Sequence, residues 1–153
     1  ASAGEPLPMT FKRYKGVAED TTTTLEGRLF LARNAEVDGT VVLASGMQYR
    51  VIESSKEDAA PSPNLNTPCD CNYEGRLIDG TVFDSSYKRQ KAGTFAPDQV
   101  ISGWTEAMQL MKEGDKWELF IPSELAYGAS GSGRSVGPGQ ALIFKLEMLA
   151  VPT

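Results

Sequence analysis

Three features of the sequence predict an α+β domain: an antiparallel sheet with one short helix across it, preceded by a helical extension. Apolar residues recur at helical spacing only before residue 40 and around Trp104–Met111. From Thr40 onward the dominant period is two, and Gly, Pro and Asp-Gly punctuation separates the runs. No alternation of strand and long helix suggests a βαβ repeat. With 153 residues, 41% of them apolar, the chain is long enough for one domain with a real core and too short for two large ones. Residues 1–39 are read as the N-terminal helical extension and 40–153 as the domain.

Ala1 to Pro8 is small and Pro-containing, and Met9 to Leu31 offers two helical candidates. The second is the better. In Thr24 to Val37, Leu25, Leu29, Ala32 and Glu36 recur near helical spacing, with Leu31 and Ala35 widening the face. Thr21 to Thr24 supply capping hydroxyls, and Gly39 sits where helices commonly stop. The strand pattern then opens with Val41 and Leu43, passes the Ser45-Gly46 turn pair, and continues through Met47, Tyr49 and Val51 with Gln48 and Arg50 between them. Ala59 to Pro68, with three prolines in a polar setting, is a connection. Cys69 to Glu74 and Thr81 to Phe83 form a hairpin around Asp79-Gly80.

Trp104 to Met111, with Ala107, Met108 and Met111 on one side, is the short helix, closed by Gly114. Trp117, Leu119 and Ile121 alternate with Glu118 and Phe120, which places Phe120 outward as an exposed contact. Ala141 to Val151 is the last strand. Between them lies Gly128 to Gly139, dominated by Gly, Ser and Pro.

Composition excludes several function classes. A net charge of -5 and no basic run longer than Lys12-Arg13 disfavour nucleic acid and anionic membrane surfaces. No apolar stretch approaches the roughly 20 residues of a membrane helix. The absence of histidine removes the commonest general base and metal ligand, which argues against zinc, haem and histidine-based triads. Cys69 and Cys71, two apart in an extended run, face the same way as Tyr73 and are read as a buried thiol pair, since a disulfide between them would break strand geometry. The first residue is Ala1 rather than Met, which fits a trimmed chain or one from which a secretion signal was removed.

Taken singly, the aromatic residues read as core and Asp84 as the opening of a turn through Ser85-Ser86. Their order changes the reading. The blocks Tyr73-Glu74-Gly75, then Asp79-Gly80-Thr81-Val82-Phe83-Asp84-Ser85-Ser86, then Val100-Ile101-Ser102-Gly103-Trp104, then Leu125-Ala126-Tyr127-Gly128, then Leu142-Ile143-Phe144 resemble the FKBP-type peptidyl-prolyl cis-trans isomerases. All five lie within residues 66–153. Gly103-Trp104-Thr105-Glu106-Ala107-Met108-Gln109-Leu110-Met111, and the helix followed by Ser45-Gly46-Met47-Gln48-Tyr49, are similar to the macrophage infectivity potentiator (Mip) group within that family.

The resemblance implies a curved antiparallel sheet wrapped around the short helix. It implies catalysis of rotation about Xaa-Pro bonds in an aromatic pocket with no metal or cofactor. By position, Trp104 is the pocket floor, Tyr73, Phe83 and Phe144 its walls, and Val100, Ile101 and Val136 its rim. Tyr127 donates its hydroxyl to one ligand carbonyl and Ile101 its backbone amide to another. Asp84 acts electrostatically at the edge, held charged by Arg89. Asp84, Tyr127, Tyr73 and Phe144 are the expected catalytic set.

Two departures from the family pattern stand out. The chain between Lys91 and Val100 is shorter than in the best-known small members, and Gly93 falls where they carry an aromatic wall, so the pocket is expected to be wider on that side. Val136-Gly137-Pro138-Gly139 takes the place of the family's flap over the pocket. Expected partners are proline-containing peptides or protein segments, with macrolide immunosuppressants as inhibitors, and the state is a monomer or a weak dimer through the N-terminal helix. The expected location is secreted or cell-surface, with the cytoplasm as the alternative. A proline-motif or macrolide binding module, in which catalysis is incidental, is the alternative function.

Overall fold

A computed structural model describes residues 22–153. The first helical candidate, beginning at Met9, lies outside the described residues. Helix α1 spans Leu25–Asn34 and is capped by Thr24, whose hydroxyl accepts from the Gly27 N–H at 3.1 Å. Strands β1 (Val41–Val42) and β2 (Gln48–Glu53) follow, turned at Gly46 with φ +97°. Next come β3 (Cys69–Leu77), β4 (Val82–Ser85), the one-turn helix α2 (Ser86–Arg89) and β5 (Gly93–Phe95). A 3-10 turn at Pro97–Gln99 leads into α3 (Ser102–Leu110). Strand β6 (Lys116–Ile121), two further 3-10 turns at Ser123–Leu125 and Gly128–Ser130, and β7 (Leu142–Ala150) complete the chain.

The sheet runs β1-β2-β6-β7-β3-β4 with every neighbouring pair antiparallel. Strand β5 shares the outer edge of β3 with β4: β4 pairs with Glu74–Arg76, while β5 pairs with Cys69–Cys71. This is the expected α+β architecture, a sheet of seven strands with a short helix across it.

Residue alternation sorts side chains onto two faces. On the inner face, Met47, Cys71, Tyr73, Trp117, Leu119, Ile121, Phe144, Leu146 and Met148 pack against Trp104, Ala107, Met108 and Met111 of α3. Gly103 permits this approach, because a Cβ there would stand 2.7 Å from Ile121 Cγ2. Tyr49 stacks on Trp117 at 3.9 Å, as its strand parity requires. Cys69 and Cys71 are free, fully buried thiols in the inner core.

The outer face corrects two expectations. Phe120 points away from the main core as its parity demands, but it is 2% exposed because α1 covers it, together with Leu31, Ala141 and Ile143. The Arg50 guanidinium sits 4.3 Å from its ring centroid. The buried face of α1 is rotated from the expected one: Leu31 and Ala32 are buried as expected, but Gly27 and Asn34 join them, whereas Leu25 is 46% exposed. Polar pairing sets that orientation. Asn34 Nδ2 donates to Gln48 Oε1 at 2.8 Å, Gln48 Nε2 donates to the Leu31 carbonyl at 2.8 Å, and Arg50 Nη1 donates to Asn34 Oδ1 at 3.0 Å. Turning α1 toward Leu25 and Leu29 would leave the fully buried Gln48 amide without partners, at about 1–3 kcal/mol per lost group.

Candidate active site

The site sits where β3, β4, β5 and β7 meet the first turn of α3. Tyr73 projects from the middle of β3 onto the inner face, and its backbone N–H donates to the buried Ser86 hydroxyl at 2.7 Å. Phe83 and Asp84 come from β4, Phe144 from β7 and Trp104 from α3. Gly75 allows the β4 and β7 rings to meet over the strand between them. A Cβ there would lie 2.6 Å from Phe83 Cζ and 2.7 Å from Phe144 Cε1. The rings instead meet edge to face, with centroids 5.6 Å apart.

Trp104 is the centre of the aromatic cluster. Tyr73, Phe95 and Phe144 all stand nearly perpendicular to its indole, with centroids at 5.2, 5.7 and 5.3 Å. Its ring is 4% exposed, and its buried N–H has no hydrogen-bond partner among the described residues. Such pairs add about 0.5–1.5 kcal/mol each beyond area burial, so the floor is held in place before any ligand arrives.

The resulting cavity has a volume of about 470 Å³ and is lined by ten residues. Eight of them, Tyr73, Phe83, Asp84, Val100, Ile101, Trp104, Tyr127 and Phe144, are expected site residues. The other two, Phe95 and Gln99, were missed. Phe95 corrects the expected gap at Gly93. The two residues lie on the same side of β5, and a Cβ on Gly93 would fall 2.6 Å from Phe95 Cε2 and Cζ. The missing side chain is therefore the space that the Phe95 ring occupies, and the wall is displaced by two residues rather than absent. Strand parity at Gly93-Thr94-Phe95 carried that signal. Gln99 caps the preceding turn, its side-chain oxygen accepting from the Ala96 N–H at 3.1 Å.

Val136 is the other displacement. It is a residue of the flap itself, 2% exposed, and lines an adjoining depression of about 330 Å³ with Phe83, Asp84, Tyr127, Ser132, Gly133 and Ser135, rather than the main cavity. The flap closes on itself through Ser132 N–H to Val136 O at 2.7 Å and the reciprocal bond at 3.2 Å. Gly131 is required at its bend: φ is +70°, and a Cβ would meet the Val136 carbonyl oxygen at 2.4 Å.

At the mouth, three side chains form a closed polar triangle. Arg89 Nη1 donates to Asp84 Oδ1, Arg89 Nη2 donates to the Tyr73 hydroxyl at 2.6 Å, and that hydroxyl donates to Asp84 Oδ2 at 3.0 Å. Arg89 does not line the main cavity. Its place on the single turn of α2 brings it back over β4, and the bond to Asp84, then that to Tyr73, hold its pKa above the ordinary value. Burial raises the Tyr73 phenol further than its Arg89 bond lowers it. Burial, then the Asp84 charge, raises the Tyr127 phenol.

Besides the buried Trp104 N–H, the Tyr127 hydroxyl and the Ile101 backbone N–H are donors at the cavity left unused among the described residues. The segment bearing Ile101 is pinned by Thr105, whose hydroxyl donates to the Pro97 carbonyl at 2.5 Å. The site thus combines an aromatic bowl, one carboxylate with both oxygens engaged, and unused donors on Tyr127 and Ile101.

Residues 60–149 match the family described as FKBP-type peptidyl-prolyl cis-trans isomerase. The chain belongs to this family. Among its relatives, the peptidyl-prolyl cis-trans isomerase Mip of Coxiella burnetii is 47% identical over 126 residues, which is 82% of this chain and 54% of that protein. The macrophage infectivity potentiator of Trypanosoma cruzi is 46% identical over 82% of this chain and 63% of its own length. The outer membrane protein MIP of Legionella longbeachae is 45% identical, over 82% of this chain and 53% of that protein. The nearer likeness to the Mip group thus agrees with the sequence reading. The chain spans 53% to 63% of the lengths of these three relatives. Among solved structures, FkpA from Escherichia coli aligns with a TM-score of 0.77 at 37% identity, covering 82% of this chain and 57% of that one. A peptidyl-prolyl cis-trans isomerase from Pseudomonas syringae aligns with a TM-score of 0.76 at 34% identity, covering 99% of both chains.

Proposed function

We propose that this protein accelerates cis-trans rotation about Xaa-Pro peptide bonds in exposed protein segments, with no cofactor. The observation that carries the reading is the aromatic bowl around Trp104, with Asp84 at its edge and the unused donors of Tyr127 and Ile101 at the cavity. Rotation must cross a barrier of about 18–20 kcal/mol set by amide resonance, and no covalent bond changes. Water favours the planar, more polar amide over the twisted one. Moving the prolyl ring onto Trp104 and between Tyr73, Phe83, Phe95 and Phe144 removes that preference and lowers the barrier. The Tyr127 hydroxyl and the Ile101 N–H bind carbonyls on either side of the bond, fixing one end while the other turns. Asp84, anchored by Arg89 and Tyr73, presents its charge to the twisting amide without needing to reorganise.

The neighbouring depression under the flap receives the residue flanking the proline. Macrolide immunosuppressants inhibit by occupying the bowl. The names of the Mip relatives support an exported or surface-exposed location and a role in virulence or protein folding, which fractionation of the producing cell would check.

Exchange NMR on a Xaa-Pro peptide tests the activity, and a rate equal to the uncatalysed one sinks it. Asp84→Ala is expected to lower kcat/KM by about tenfold or more, the scale of a charged interaction, and Tyr127→Phe by about two- to tenfold, the scale of one neutral hydrogen bond. Both variants should keep the unfolding midpoint within a few degrees. Unchanged turnover in both removes their assigned roles.

A further inference from the structure

We infer that Thr22–Thr24, the segment leading into α1, is a strap that sets the position of the flap, and that Thr23 is its positioning residue. The kinetic part of this inference rests on the proposed isomerase activity; the structural part does not. The flap is entered through Ser123–Leu125 and left at Gly139. The strap is hydrogen-bonded to both ends. At the entry, the Thr22 and Ser123 hydroxyls lie 2.8 Å apart, the Ser123 N–H donates to Thr23 Oγ1 at 2.9 Å, and Thr23 Oγ1 donates to Glu124 Oε1 at 2.8 Å. At the exit, the Thr24 N–H donates to the Gly139 carbonyl at 2.8 Å.

The two ends are also joined to each other, since the Gly139 N–H donates to the Gly128 carbonyl at 2.9 Å. The strap's bonds to Ser123 and Glu124 bridge 100 or 101 residues of sequence. Thr23 is 3% exposed and Ser123 fully buried, so water cannot replace the bonds at no cost. Gly139 shows how closely the strap lies: at φ +70°, a Cβ there would stand 2.6 Å from the Thr22 carbonyl oxygen. What the strap holds is functional surface. Tyr127 stands two residues after the entry, and Ser132, Ser135 and Val136 of the flap line the depression shared with Phe83 and Asp84. The next residue after the strap, Leu25, begins α1. A shift of α1 or of the chain ahead of it is therefore transmitted to the flap through Thr23, without passing through the core.

Thr23→Val keeps the shape of the side chain and deletes the hydroxyl, and Thr23→Ser restores it. Amide hydrogen exchange of the full chain reads the flap directly. Thr23→Val is expected to speed exchange at the Ser132 and Val136 amides at least tenfold, with β7 amides within twofold of wild type. KM for a Xaa-Pro peptide should rise several-fold with kcat within about twofold, and Thr23→Ser should return both readouts to wild type. Should Thr23→Val not fold, Thr22→Ala, which removes an exposed hydroxyl, decides the matter with the same pattern at about threefold. Flap amides that exchange at the wild-type rate in the deciding variant, or β7 amides that accelerate in parallel with them, overturn the inference. A wild-type chain with no isomerase activity would defeat the proposed function while leaving the exchange result to judge the strap.

Discussion

Gly93→Ala should widen the cavity without removing any atom from its wall. The added Cβ would lie 2.6 Å from Phe95 Cε2 and Cζ, closer than carbon atoms approach, so the ring must swing away from it. Swinging breaks its edge-to-face contacts with Tyr73 at 5.8 Å and Trp104 at 5.7 Å. At about 0.5–1.5 kcal/mol per pair, the loss is about 1–3 kcal/mol of stability. Replacing glycine lowers the entropy of the unfolded chain and returns about 0.4–1 kcal/mol, so the net cost is about 0–2.6 kcal/mol. Ligand binding should suffer more consistently. A displaced wall leaves about 40–60 Å² of a bound prolyl ring uncovered, which at about 25 cal/mol per Å² is about 1–1.5 kcal/mol, or roughly five- to twelvefold in affinity. Phe95→Ala, which deletes the ring, should weaken binding by a similar factor. The assays are denaturant unfolding followed by tryptophan fluorescence, and titration with a Xaa-Pro peptide or a macrolide. If Gly93→Ala binds as tightly as wild type while Phe95→Ala does not, the ring is not held against Gly93 and the account of this wall is wrong.

Two further predictions concern buried titratable groups. Burial, then the neighbouring Cys69 and Asp70, pushes the Cys71 thiol up to about 12, and burial with Asp70 raises Cys69, so neither is a thiolate near neutrality. Ellman's reagent at pH 8 should label neither cysteine in the native protein within minutes and both after unfolding; prompt native labelling would contradict this. The Tyr73, Tyr87 and Tyr127 phenols are each raised in the folded chain, chiefly by burial. A raised folded-state pKa favours folding fully below the unfolded value of about 10 and loses that contribution as pH climbs through the folded value. The urea midpoint should therefore hold steady up to about pH 9.5 and fall above pH 10, and a flat profile to pH 11 would refute it.

The sheet was legible in the sequence because strand parity is a local constraint. The bowl was legible only through the order of the blocks that carry Tyr73, Phe83, Trp104, Tyr127 and Phe144, since each of these aromatics taken singly reads as core. Phe95 was also within reach of parity, but the wall was sought at the position of Gly93 rather than two residues on. The orientation of α1 was not legible. Apolar spacing gave Leu31 and Ala32 but also pointed to Leu25 and Leu29, whereas the helix is seated by Asn34, Gln48 and Arg50, polar residues brought together only by the sheet. Phe120 was misjudged for the same reason, since its parity is right and only the covering helix makes it core. Val136 belongs to a glycine-rich loop whose path depends on the hydrogen bonds of Ser132 and Gly139, which no spacing rule encodes.

The outer edge of β3 is divided end to end, with β4 carrying Phe83 and Asp84 along one half and β5 carrying Phe95 along the other. The only covalent link between these half-strands is Ser86–Ala92, which leaves the edge and returns to it. Opposite jaws of the bowl therefore hang from one rail as separate fittings. A change in the length of that link can reset the spacing between jaws while the rail keeps its register with β7. Variation in bore across proteins of this architecture then requires no redesign of the core.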